Sequence, residues 1–166
     1  MERQLLHTAY LLTGSNEGDR ACILQQCREE LNRTAGNIVR ASALYETAAW
    51  GKEDLPAHLN QALKLETNLE PESLLAAIHA IENKLGRVRQ EKWGLRSIDI
   101  DIIYFGNRVI RTDVLTIPHP LIQQRRFVLV PICEIAGTLE HPVLRVTNET
   151  LLAGCSDHLS VVKYQN

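Results

Sequence analysis

Asp99 and Asp101 stand two residues apart in Ser97-Ile98-Asp99-Ile100-Asp101-Ile102, where apolar and polar side chains alternate without a break. That alternation predicts a half-buried strand over residues 97–105. Residues two apart on a strand project from one face, so the carboxylates share a face with Cα atoms roughly 7 Å apart. Paired carboxylates on an otherwise apolar strand repel each other unless a cation lies between them. Magnesium favours one or two carboxylates plus phosphate oxygens, and two-metal sites hold their ions about 3.5–4 Å apart. A D-x-D pair alone equally describes the solvent-facing side of a strand.

The residues just before this pair narrow the chemistry. Arg87, Arg89, Lys92 and Arg96 meet only one acid, Glu91, in a chain whose overall charge is −2. The arginine fork matches phosphate oxygens, and a loop can carry several arginines onto a polyphosphate. Alone, the run also describes a solvated loop. Beside a carboxylate pair it describes metal on one side and arginine on the other, the arrangement of phosphoryl transfer. Neither G-x-x-x-x-G-K-[ST] nor G-x-G-x-x-G occurs, so a nucleotide must be held by side chains and metal rather than by a glycine cradle.

These residues need a frame. Residues 7–13 read as a buried strand ending in the turn cluster Gly14-Ser15-Asn16-Glu17-Gly18-Asp19, where Asp19 caps the next helix. Ile23, Leu24, Cys27 and Leu31 recur at helical spacing, with Gly36 as a C-terminal cap. Residues 38–47 read as one strand, 48–56 as a loop, and Leu59, Leu63 and Leu65 as a further strand. Pro71, flanked by Glu70 and Glu72, starts a helix with the stripe Leu74, Leu75, Ile78, Ile81 and Leu85, ended by Gly86. After the 97–105 strand, Gly106-Asn107 predicts a hairpin turn into Val109-Ile110. A Pro118-His119-Pro120 elbow leads to a helix over 127–136 with Pro131 near its start, then a short helix at 148–153 and an edge strand at 161–164. The order β-α-β-β-α-β with an added hairpin and helices predicts an α+β, ferredoxin-like core, with helices packed on a mainly antiparallel sheet.

A chain of 166 residues with 45% hydrophobic content suits a single domain over 1–166. Balanced charge excludes a strongly basic nucleic-acid binder. The longest apolar run, near 127–133, is too short to span a membrane, and Met1-Glu2-Arg3-Gln4 lacks the apolar core of a signal peptide. Cys22, Cys27, Cys133 and Cys155 form no C-x-x-C, and the six histidines are scattered. The expectation is a cytoplasmic monomer that binds small molecules, with no nucleic acid or membrane partner.

Trp93-Gly94-x-Arg96-x-x-Asp99-x-Asp101 resembles the signature of the 6-hydroxymethyl-7,8-dihydropterin pyrophosphokinase family. The likeness continues in order through Gly14-Ser15-Asn16, Tyr45-Glu46-Thr47, Leu59-Asn60, Gly86-Arg87-Val88-Arg89, Phe105-Gly106-Asn107, Leu115-Thr116-Ile117-Pro118-His119 and Arg125-Arg126-Phe127. The resemblance implies transfer of the β,γ-diphosphate of ATP to a pterin hydroxymethyl group, with release of AMP. It implies that Asp99 and Asp101 ligate two magnesium ions, while Arg87 and Arg96 hold the polyphosphate in an arginine-rich lid. Glu82, Arg89, Ile102, Thr116, His119 and Arg125 would contact ATP. Trp93 and Phe127 would sandwich the pterin ring, Asn60 would bond its edge, and Thr47, Ala48, Trp50 and His58 would line it. A flat heteroaromatic ring needs two aromatic faces and a few polar edge contacts.

Two other readings stay open at this level. A ferredoxin-like RNA-binding module would carry aromatics on its strand face, where this chain carries two carboxylates. A non-catalytic regulatory domain rests on fold analogy alone.

Overall fold

The computed structural model describes residues 4–48, 56–86 and 97–165. The elements follow as β1 His7–Ser15, α1 Arg20–Thr34, β2 Asn37–Ala41, β3 Tyr45–Thr47, β4 His58–Thr67, α2 Pro71–Lys84 and β5 Asp99–Phe105. After them come β6 Ile110–Arg111, β7 Thr116–Ile117, a 3-10 turn at Ile122–Gln124, α3 Arg126–Ala136, α4 Asn148–Ala153 and β8 Val161–Lys163. The main sheet runs β5-β1-β4-β3-β8, with β2 also on β4. All its pairings are antiparallel. The fourth, first, third and second strands of the β-α-β-β-α-β pattern thus lie side by side, as that pattern demands.

Helices cover both faces. Leu11, Leu63 and Ile100 pack with Leu24 and Leu31 of α1 and Leu74 and Ile78 of α2. Leu12, Ile103 and Tyr104 pack with Leu129 and Ile132 of α3. β1 and β4 are buried on both sides because they run through the middle of this sandwich. The helix signals work as read: Asp19 accepts from Cys22 N at 3.1 Å, Pro71 opens α2, and Gly86 follows it at φ 89°.

The structure departs from the sequence reading in five places. Gly14 and Ser15 belong to β1, not to the turn that follows. The 38–47 stretch is two strands, β2 ending at Ala41 and β3 starting at Tyr45, although Ser42 N still donates to Ala62 O at 2.9 Å. Ser42 Oγ accepts from Ala62 N at 2.9 Å, Gln61 Nε2 donates to Ser42 O at 2.7 Å, and the Glu134 carboxylate takes Ala43 N. The turn at Gly106-Asn107 forms, with Arg108 N donating to Phe105 O at 3.0 Å. Yet β6 pairs with β7, not back on β5, whose open edge is met by His119 N donating to Ile103 O at 3.1 Å. Pro131 lies midway along α3 and is buried in the core. Finally, the cap of α1 is Ala35, and Gly36 follows it for another reason. A Cβ on Gly36 would fall on the Glu66 carbonyl oxygen of β4.

The obstacle is a backbone oxygen, which cannot yield by a rotamer change. Gly36→Ala should therefore destabilise the protein by about 1–3 kcal/mol, the usual cost of overpacking. A urea titration should show a lower midpoint at unchanged slope; an unchanged midpoint would mean that β2 shifts freely against β4.

Candidate active site

Strand β5 sets the acidic face. Ile98, Ile100 and Ile102 are buried in the α1/α2 core, so Asp99 and Asp101, alternating with them, project toward the α3 side and are half-buried. On that face Asp101 lies opposite Leu12 and Asp99 opposite Gly14 of β1. Glu82 lies on the other side. The resemblance implies a contact with ATP, and its place beside the α2 stripe alone reads as exposed, but its side chain is buried and accepts from Ile100 N at 3.3 Å. It anchors the head of β5 from beneath. Ile102 is likewise a core residue, so any contact it makes with a nucleotide goes through its backbone.

His119 and Arg125 come from the chain that follows. His119 Nδ1 accepts from Leu121 N at 3.3 Å, which places the ring proton on Nε2. Burial, and then the Arg125 guanidinium, hold the His119 pKa below its ordinary value, while Asp99 pulls it the other way. A neutral imidazole donor therefore sits within the electrostatic reach of both Arg125 and Asp99. Arg125 caps α3 and lies over the Phe127 ring at 5.7 Å. The start of that helix is fixed from the tail, where the buried Asp157 accepts from Arg126 N and Leu159 N, each at 3.0 Å. Thr116 is exposed on β7.

The opposite wall is the β3–β4 ladder. Tyr45 pairs with Asn60 and Thr47 with His58; Tyr45 is held by its hydroxyl donating to Glu134 at 2.5 Å. Burial and Glu134 push the Tyr45 phenol up to about 12, so it remains a donor at neutral pH. Asn60 is 4% exposed and Thr47 3%, and among the described residues Asn60 Nδ2 and Thr47 Oγ1 have no hydrogen-bond partner. A buried polar atom left unpaired costs about 1–3 kcal/mol, a cost that a ligand's polar edge would remove. His58 Nε2 lies 3.4 Å from Asn16 Nδ2, and Ala48 is exposed at the rim.

Gly14 joins the two walls. It pairs with Asp99 on one side and Asn60 on the other. A Cβ there would come 2.5 Å from Asn60 Oδ1, so the amide occupies space that only glycine leaves open. The sequence signal was a glycine at the end of a strand, but the reason for it is visible only across β4. Tyr45, Glu134 and Asp157 were also missed as supports of the site; nothing local to them marks that role.

Arg87, Arg89, Trp93, Arg96 and Trp50 lie outside the described residues. Among those described, no group of three or more His, Cys, Asp or Glu side chains could cage a metal ion. A two-carboxylate set fits magnesium all the same, since that ion keeps several waters and takes substrate phosphate oxygens. No helix of the described residues is long and apolar enough to cross a membrane.

Residues 10–137 match the family model described as 7,8-dihydro-6-hydroxymethylpterin-pyrophosphokinase. The chain is 41% identical over 138 residues to a 2-amino-4-hydroxy-6-hydroxymethyldihydropteridine pyrophosphokinase of Aquifex aeolicus, covering 83% of this chain and 86% of the relative. It is 41% identical over 133 residues to the enzyme of the same name from Bacillus subtilis, covering 80% of each. A crystal structure of Plasmodium falciparum HPPK-DHPS with pterin and p-hydroxybenzoate superposes with a TM-score of 0.72 at 18% identity. It covers 92% of this chain but only 44% of that longer one, and at this identity it supports the fold alone.

Proposed function

Because the chain belongs to the 7,8-dihydro-6-hydroxymethylpterin-pyrophosphokinase family and is thus a pyrophosphokinase of folate biosynthesis, we propose how its own residues divide that work. ATP and 6-hydroxymethyl-7,8-dihydropterin are the substrates. The hydroxymethyl oxygen loses its proton and bonds to the β-phosphorus, while the bond from that phosphorus to the oxygen bridging to the α-phosphorus breaks and AMP leaves with that oxygen. The observation that carries this reading is the double pairing of Gly14, which sets the backbones of Asp99 and Asn60 two interstrand spacings apart, about 10 Å, on one face of the sheet. One wall suits phosphate chemistry and the other suits the edge of a flat ring.

Asp99 and Asp101 would hold two magnesium ions. When bound, these supply the positive charge that neutralises the polyphosphate during transfer. His119 presents Nε2–H to ATP, and Arg125 adds a cation beside it. Thr116 and the Ile102 backbone complete that side, with Glu82 supporting from below. Arg87, Arg89 and Arg96 bring the arginine forks of the 87–96 segment onto the phosphates, which its composition favours. Phe127 and Trp93 take the two faces of the ring. Asn60 Nδ2 and Thr47 Oγ1 bond its edge, and Ala48, Trp50 and His58 line the rim. The free cysteines suit a reducing, cytoplasmic setting, and the chain would work there as one domain over 1–166 and as a monomer.

Asn60→Ala should weaken pterin binding by about 1–3 kcal/mol and leave ATP binding unchanged. Calorimetry with each ligand decides this: equal weakening of both would make Asn60 a structural residue. With ATP, magnesium and the reduced pterin, the nucleotide product should be AMP; ADP would overturn the diphosphate transfer.

A further inference from the structure

We infer that Arg20 is a positioning residue for the wall that reads the pterin edge, an inference that rests on the role of Asn60 and Thr47 given above. Arg20 opens α1, on the face of the sheet opposite the site. Its Nη1 donates to Ala57 O at 2.6 Å and its Nη2 to Glu46 Oε2 at 2.6 Å. Its guanidinium carbon also lies 5.6 Å from the centre of the Tyr164 ring, just beyond β8.

The two acceptors occupy telling positions. Glu46 precedes Thr47 on β3, and Ala57 precedes His58 on β4. Thr47 and His58 are the last pair of a ladder only three pairs long. One guanidinium therefore spans the open end of that ladder. A short ladder frays at its open end, whereas a planar fork with both arms engaged fixes the separation of its acceptors. Side chains alternate across a strand, so Glu46 turns toward α1 while Thr47 turns toward the site. The restraint is applied from behind, and Thr47 Oγ1 and Asn60 Nδ2 in front inherit it. Both atoms are buried without a partner among the described residues, and a hydrogen bond to a rigid ring tolerates only a few tenths of an ångström. Arg20 is 20% exposed and Glu46 35%, so the pair is partly shielded from solvent screening. Among the described residues, the hydrogen-bond partners of the Arg20 side chain, Ala57 and Glu46, both lie at the ring wall rather than the acidic wall, which predicts an effect on one substrate only.

The test is steady-state kinetics on Arg20→Ala, Arg20→Lys and Glu46→Ala, with Asn60→Ala alongside and melting temperatures for all. Arg20→Ala should raise KM for the pterin about tenfold or more, with KM for ATP within about twofold of the unmodified enzyme. Arg20→Lys, which can satisfy one acceptor at a time, should fall between. Glu46→Ala, which removes one arm and keeps the arginine, should raise the pterin KM alone by a smaller factor. A purely structural role would lower the melting temperature and leave both KM values in place, which overturns the inference, as does an equal rise in both. If Asn60→Ala shifts the pterin KM while neither arginine variant does, the clamp is wrong and the ring wall stands. If Asn60→Ala shifts nothing, the ring wall fails and the clamp falls with it.

Discussion

Asp99→Asn and Asp101→Asn should each cut turnover by about a hundredfold or more, some 2.7 kcal/mol of barrier, with the fold intact. The two effects separate because of where β5 keeps its hydrophobic residues. Ile98, Ile100 and Ile102 hold the strand in the α1/α2 core, and Glu82 fixes its head through Ile100 N. The aspartates contribute to neither, since they are half-buried on the other face. Asparagine preserves shape and backbone pairing while removing the charge that a hard dication requires. The melting temperature should therefore stay within a few degrees, equivalent to about 1 kcal/mol for a chain of this size. Activity of the unmodified enzyme should vanish with a chelator and return with magnesium. Retention of more than about a tenth of the activity in both variants, roughly 1.4 kcal/mol, would remove metal ligation from the account.

Those two aspartates were legible because everything that places them is local. Strict alternation puts them on one face, and burial of the intervening isoleucines selects which face it is. Helix α2 was legible for the same reason, carrying its own proline start, apolar stripe and glycine stop. The break between β2 and β3 was not. Residues 38–47 read as one continuous strand, and the interruption is imposed by Glu134, which lies 91 residues beyond Ala43 in sequence. The pairing of β6 with β7 escaped because two-residue strands are too short to show any period. Glu82 shows the limit of helical periodicity: a polar residue beside the stripe reads as solvated unless its acceptor role toward a distant strand is known. In the site, the acidic wall could be read from spacing. The amide wall came only through the family resemblance, since an asparagine in an apolar strand gives no sign of which atom will lack a partner.

Gly14→Ala should weaken pterin binding about a hundredfold, more than the loss of Asn60 itself. The new methyl would stand 2.5 Å from Asn60 Oδ1, closer than any carbon and oxygen can rest. The nearest obstacle is a side-chain end, so the strands need not part; the amide must swing away instead. Its contact with the ring is then lost, for about 1–3 kcal/mol. The methyl also protrudes between the Asp99 and Asn60 walls, and overpacking adds about 1–3 kcal/mol more. ATP binding should be far less affected, because Asp99 is paired through the backbone of β1, which does not move. A double-mutant cycle isolates the cause. With Asn60 already replaced by alanine the clash disappears, so Gly14→Ala should cost much less in that background than alone. Costs that add to within about 0.5 kcal/mol would mean that the two residues act independently, and Gly14 would be left as a requirement of the strand rather than of the ring site.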